Sequence, residues 1–87
     1  MSDFHPELWD FPCQFPLKIM GLAEAALLDD VLEVIQLHAP GEYSPAVKPS
    51  RKGNYHAISI TITAIGRQQL DNIYQDLVAL ERVKVVL

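Results

Sequence analysis

Between residues 55 and 65 the chain reads Tyr-His-Ala-Ile-Ser-Ile-Thr-Ile-Thr-Ala-Ile. Ile58, Ile60 and Ile62 alternate with Ser59, Thr61 and Thr63. Successive side chains of a strand point to opposite faces, and all of these residues except the serine are β-branched. The segment therefore predicts a strand with one apolar and one hydroxyl face, and it belongs in the middle of a sheet covered on one side only. The rest of an 87-residue chain has to supply that cover. A chain of this length has room for one domain and one modest core.

The flanking periodicities supply it. Residues 14–20 read as a strand, with Phe15, Leu17 and Ile19 on one face, Lys18 on the other, and Gly21 as its end. From Ala23 to Ala39 the apolar residues Leu27, Leu28, Val31, Leu32, Val34 and Ile35 gather on one side of a helical wheel, and Pro40-Gly41 stops the helix. Residues 43–51 are extended but carry Pro45 and Pro49, which cannot donate to a ladder, so this strand is expected at an edge. Lys52-Gly53-Asn54 is a turn. Residues 67–80 return to helical period through Leu70, Ile73, Tyr74 and Leu77, and residues 82–87 alternate as a last strand.

The order β-α-β-β-α-β is the ferredoxin-like, split βαβ pattern of an α+β sandwich. It predicts a four-stranded antiparallel sheet with two helices on one face and strands 1 and 3 in the centre. Residues 1–13, with Phe4, Trp9, Phe11, Pro6 and Pro12, hold no period and form an irregular arm whose Trp9 and Phe11 are expected to pack back on the domain of residues 14–87.

Charge is unevenly spread. Seven basic and eleven acidic residues give −4, and the first helix region alone holds Glu24, Asp29, Asp30 and Glu33 with no basic residue. The stretch from Gly41 to His56 carries Lys48, Arg51 and Lys52 against Glu42. Strand parity puts Lys18, Lys84, Ser59, Thr61 and Thr63 on the open face of the sheet. That face reads either as a platform for an anionic metabolite or acidic protein, or as an ordinary solvated surface.

The densest polar stretch runs from Lys48 to His56. Its candidate binding residues are Lys48, Ser50, Arg51, Lys52, Gly53, Asn54, Tyr55 and His56, joined by Lys18; cations and backbone N–H groups around Gly53 could hold a phosphate or carboxylate. The P-loop spacing is missing, and a solvated hairpin turn is the alternative. His5, His38, His56 and Cys13 are dispersed without metal-ligand spacing, so no metal or other cofactor is expected. His38 falls at a helix C-terminus, where it can cap. Cys13 or His56 could serve a small enzyme, but no constellation supports one, and no catalytic residue is assigned.

An acidic chain is poorly suited to nonspecific nucleic-acid binding, and Pro16, Lys18, Met20, Ala57, Ser59 and Thr61 offer no aromatic for base stacking. A nucleic-acid module using the cationic hairpin remains the second reading. A single cysteine, the absence of a signal-like N-terminus and the lack of a membrane-length apolar run predict a cytoplasmic protein.

The stretches Glu7-Leu-Trp-Asp-Phe-Pro-Cys-Gln-Phe-Pro-Leu-Lys-Ile-Met-Gly21 and His38-Ala-Pro-Gly-Glu-Tyr-Ser-Pro-Ala-Val-Lys-Pro-Ser-Arg-Lys-Gly-Asn-Tyr-His-Ala-Ile-Ser-Ile-Thr-Ile-Thr63 resemble the YbeD family of small, uncharacterised proteobacterial proteins. The resemblance runs from about Glu7 to Leu87. It implies a ferredoxin-like fold similar to ACT-type regulatory domains, which bind small effectors, often at dimer interfaces, and it implies no activity. Its most characteristic residues are expected around one strand end and the hairpin: Phe11, Pro12, Lys18, Gly21, His38, Pro40, Gly41, Lys48, Pro49, Ser50, Lys52, Gly53, Asn54, Tyr55 and His56. The combined expectation is a regulatory or adaptor domain, not an enzyme. It would bind a small anionic metabolite or a partner protein, with a homodimer as the implied assembly.

Overall fold

The computed structural model describes residues 10–87; the expectations for Phe4, Trp9 and the start of the arm fall outside the described residues. The elements are β1 (Cys13–Leu22), α1 (Ala25–His38), β2 (Ala46–Pro49), β3 (Tyr55–Ala64), α2 (Arg67–Val78) and β4 (Val83–Val86). The sheet order is β2-β3-β1-β4, and every neighbouring pair is antiparallel. This is the expected ferredoxin-like sandwich, with the isoleucine strand in the centre and the proline-bearing strand at an edge.

The core lies where the alternation places it. Ile19 on β1 and Ile58 and Ile62 on β3 have no exposed surface; they meet Leu27, Val31 and Ile35 from α1 and Ile73 and Leu77 from α2. Each side chain of this size, fully buried, contributes about 1.5–3 kcal/mol. One helical expectation fails: Tyr74 is about half exposed. It sits on the outer flank of α2, where it lines a groove with Phe15 and Leu17 instead of entering the core.

Gly21 does not end β1. The strand continues to Leu22, and a bulge between Met20 and Gly21 shifts the register against β4. The reason for glycine is space. A Cβ at position 21 would stand 2.4 Å from the Arg82 carbonyl oxygen and 2.6 Å from Leu27 Cδ1. The same Arg82 carbonyl accepts the Leu22 N–H at 2.9 Å, so the chain entering β4 lies directly against the glycine.

The prolines follow from the ladders. Ser50 N–H donates to the Tyr55 carbonyl, so even-numbered residues beside it direct their backbone groups at β3 and odd-numbered ones point away. The missing donors of Pro49, and of Pro45 just before β2, therefore fall on the outer edge. On β1, Lys18 and Leu22 N–H groups donate towards the β4 side, to Leu87 and Arg82. Pro16 shares their parity but lies past Leu87, where no described strand accompanies β1. A proline in this central strand is tolerated because, among the described residues, no ladder partner on that side calls for its N–H. The β2 edge is thereby blunted against strand addition.

Replacing Gly21 with alanine is expected to lower the unfolding free energy by about 2–3 kcal/mol, because backbone has to move to admit the methyl. Urea denaturation measures it; a loss below about 0.5 kcal/mol would show that the contact yields freely.

Candidate functional site

The face of the sheet turned away from the helices follows from cross-strand register. Lys48, Ala57, Met20 and Val85 form one row across β2, β3, β1 and β4. Ala46, Ser59 and Lys18 form the next row, with Leu87 bonded beside Lys18 through backbone groups. Thr61 faces Pro16, and Thr63 faces Gln14, whose side-chain amide donates to the Thr63 hydroxyl at 3.1 Å. Tyr55 opens β3 beside Leu22 on this same face and is 42% exposed. It is an aromatic that the sequence reading assigned to the hairpin.

Among the described residues no strand contains an aspartate or glutamate, and the charged side chains in the strands are Lys18, Lys48 and Lys84. Lys18 and Lys48 flank a floor of small side chains, Ala57 and Ser59. At ordinary strand spacing and rise their Cα atoms lie about 12 Å apart on a diagonal, within joint reach of one anionic group between them. Lys84 is exposed opposite the bulge, where it has no partner residue on β1, and its ammonium points back to the Glu81 carbonyl at 3.5 Å.

The remaining candidates divide into two groups. Ser50 and Gly53 build the turn: the Ser50 hydroxyl accepts the Tyr55 N–H at 3.2 Å, and the Gly53 N–H is taken by the Ser50 carbonyl at 3.0 Å. Gly53 has φ +78°, the left-handed region that glycine adopts at least cost. Its N–H is thus committed to the turn, contrary to the expectation of free amides for an anion. The Asn54 carbonyl accepts the Ala23 N–H, tying the hairpin to the entry of α1. Arg51 and Lys52 are exposed at the tip. His56 is half-buried and opposite Gly21, on the helix side of the sheet, so it does not join the two lysines.

His38, Pro40 and Gly41 also do not gather with the hairpin. α1 begins beside Asn54 and runs to the opposite end of the sheet, so its last turn lies near Thr63 and Ile65. There the chain is firmly held. His38 Nε2 lies 2.6 Å from Asp76 Oδ2 on α2, and the Gln69 amide donates to the His38 carbonyl at 3.0 Å. The Tyr43 hydroxyl donates to the Ala39 carbonyl, and Gln36 both donates to and accepts from the Gly41 backbone. His38 thus bridges two helices as well as standing in the last turn of α1. A cavity of about 410 Å³ opens beside this loop.

Sequence inspection also missed Arg82. Its guanidinium donates to Glu24 at 2.9 Å and to Asp30 at 2.7 Å. These two carboxylates, the Glu24 hydrogen bond foremost, hold its pKa above the usual arginine value. Two of the four acids around the first helix are thus answered within the fold, leaving Asp29 and Glu33 exposed to solvent. The pairs span 58 and 52 residues, beyond any local spacing rule.

Cys13 and His56 occupy opposite ends of the β1–β3 pair: Cys13 faces Ala64, and His56 faces Gly21. Eight strand residues separate those positions, about 27 Å, so the two cannot act on one substrate group. Among the described residues no cluster of three or more His, Cys, Asp or Glu side chains could hold a metal ion. No helix among them is long and apolar enough to cross a membrane.

A family model described as a protein of unknown function, DUF493, matches residues 6–87. UPF0250 proteins of Yersinia pestis (strain Pestoides F) and Yersinia pseudotuberculosis (serotype O:3) are each 59% identical over 81 residues, covering 93% of both chains. The solution structure of protein HP0495 from Helicobacter pylori aligns with a TM-score of 0.71 at 14% identity, over all of this chain and 98% of that one. A second solution structure of HP0495 gives 0.63 at 16% identity, over 99% and 98%. At such identity these two likenesses establish the fold alone.

Division of the hairpin into turn-forming and exposed residues has a measurable consequence. Gly53→Ala is expected to cost about 1–2 kcal/mol, the penalty of a left-handed non-glycine residue, whereas Lys52→Ala should stay within about 0.5 kcal/mol of the parent. Equal effects in parallel urea titrations would contradict the division.

Proposed function

The chain belongs to the DUF493 family of unknown function, the family that the YbeD resemblance named, and we propose that it is a regulatory or adaptor module that binds an anionic partner on its uncovered sheet face. One observation carries the proposal: every charged side chain in the strands is a lysine, in a chain whose net charge is −4. Lys18 and Lys48 stand on either side of Ala57 and Ser59, small residues that leave room for a carboxylate or phosphate between the two ammonium groups. The serine hydroxyl adds a donor at the same place.

The reading narrows the candidate residues to Lys18, Lys48, Tyr55 and Ser59. Arg51 and Lys52 take the secondary role of steering anions towards the face. The likeness to ACT-type domains that the family resemblance implies fits a module of this kind, and the cytoplasm fits a chain with one free cysteine.

Amide shifts in an NMR titration with citrate at low salt test the reading. Saturable shifts are expected at Lys18, Ala57 and Ser59. Lys18→Glu with Lys48→Glu should weaken the apparent affinity at least about tenfold, roughly 1.4 kcal/mol, while Arg51→Ala with Lys52→Ala should change it less than about twofold. If the tip pair abolishes the shifts and the face pair does not, the site is the hairpin, and the nucleic-acid reading takes its place.

A further inference from the structure

The open face carries more than cations. Tyr55, Met20 and Val85 are 42%, 37% and 43% exposed on it. Their register positions form a pattern with the lysines. Going from Lys48 to Lys18 crosses two strands and descends two residues. Going from Tyr55 on β3 to Val85 on β4 makes the same step, with Met20 between the two lines. On the regular lattice of a sheet these are two parallel diagonals, each about 12 Å long and about 8 Å apart. One is cationic and the other apolar.

We propose that this double diagonal is the seat of an acidic amphipathic helix from a partner protein. The inference rests on the anion-binding reading above and names the class of partner. An α-helix is about 10 Å across, so one laid along the diagonals would touch both. Two residues seven apart on a helix lie on one side and about 10.5 Å apart along the axis, close to the separation of the lysines. Carboxylates at such positions meet Lys48 and Lys18, while apolar residues on the adjoining stripe cover Tyr55, Met20 and Val85.

Other occupants fit less well. An extended peptide adds to a sheet through the backbone groups of an edge strand, not through its face, and on the β2 edge Pro45 and Pro49 also withhold their donors. A small metabolite is held best in a concave site, whereas this is the broad surface of a four-stranded sheet. A second copy could offer Asp29, Glu33 and Leu37 of its α1, which are exposed at successive i+4 positions. That contact would be head-to-tail and would not close into a dimer.

The test uses the full chain and a synthetic helical peptide of about 18 residues, long enough to cross the sheet. The peptide has glutamates on one flank and leucines on the next, and binding is read by fluorescence anisotropy at low salt. Binding is expected to weaken at least tenfold with Lys18→Glu plus Lys48→Glu, and similarly with Met20→Ser plus Val85→Ser. A peptide with lysine in place of glutamate should bind only the glutamate-substituted protein. Circular dichroism melts confirm that each variant is folded.

Failure of the parent protein to bind, or affinity indifferent to both variant pairs, overturns the helix. If citrate still shifts Lys18 and Ser59 in that case, only this inference falls; if citrate also fails, the anion-binding reading falls with it. Concentration-dependent self-association in sedimentation, removed by Asp29→Lys plus Glu33→Lys, would assign the face to a second copy and overturn the partner named here.

Discussion

The ladder between β1 and β3 decides everything else in this fold. Ten residue pairs run without a break from Cys13↔Ala64 to Leu22↔Tyr55. Because the strand repeat is two residues, this register sends Leu17, Ile19, Ile58, Ile60 and Ile62 to the helices and Lys18, Met20, Ala57, Ser59 and Thr61 outward. A slip of one residue on either strand would drive polar side chains into the core and isoleucines into water. At about 1.5–3 kcal/mol for each large side chain moved, such a slip would exceed the whole stability of a small domain. The composition of the outer face is therefore fixed by the packing of the inner one.

Charge is sorted by layer on that frame. The sheet holds lysines and no carboxylates, whereas α1 and its entry hold four carboxylates and no lysine or arginine. Arg82 returns charge from the β4 entry to Glu24 and Asp30, and the backbone of the same residue packs on Gly21. One residue thus closes the end of the sandwich and pairs with two of its four carboxylates. Asp29 and Glu33 stay in solvent on the helical side. The resulting separation leaves a small acidic protein with a basic face, which net charge alone conceals.

Much of this was legible in the sequence because it rests on local periodicity. The isoleucine alternation, the two helical stripes and the prolines at 45 and 49 identified the element order, the central strand and one edge. What stayed hidden depends on residues brought together by folding. The Arg82 pairs, the His38–Asp76 contact and the crowding at Gly21 join segments far apart in the chain. Tyr74 looked like a core residue because it falls on the apolar stripe of α2, and the helical period does not reveal that this flank opens on the groove with Phe15 and Leu17. The use of the Gly53 N–H within the turn was hidden as well, because composition alone cannot tell a free amide from one committed to a turn. Lys18 and Lys48 were each visible, but their shared floor of Ala57 and Ser59 required the register.

The central claim is that the sheet face attracts anions while the helical face attracts cations. Line broadening of backbone amides by matched anionic and cationic nitroxide co-solutes, at low ionic strength, measures that asymmetry without knowledge of any partner. The account predicts stronger broadening at Lys18, Ala57 and Ser59 from the anionic probe and at Asp29 and Glu33 from the cationic one, with both differences shrinking as salt shortens the screening length. Equal broadening by the two probes on the sheet face, or preference for the cationic one there, would contradict it.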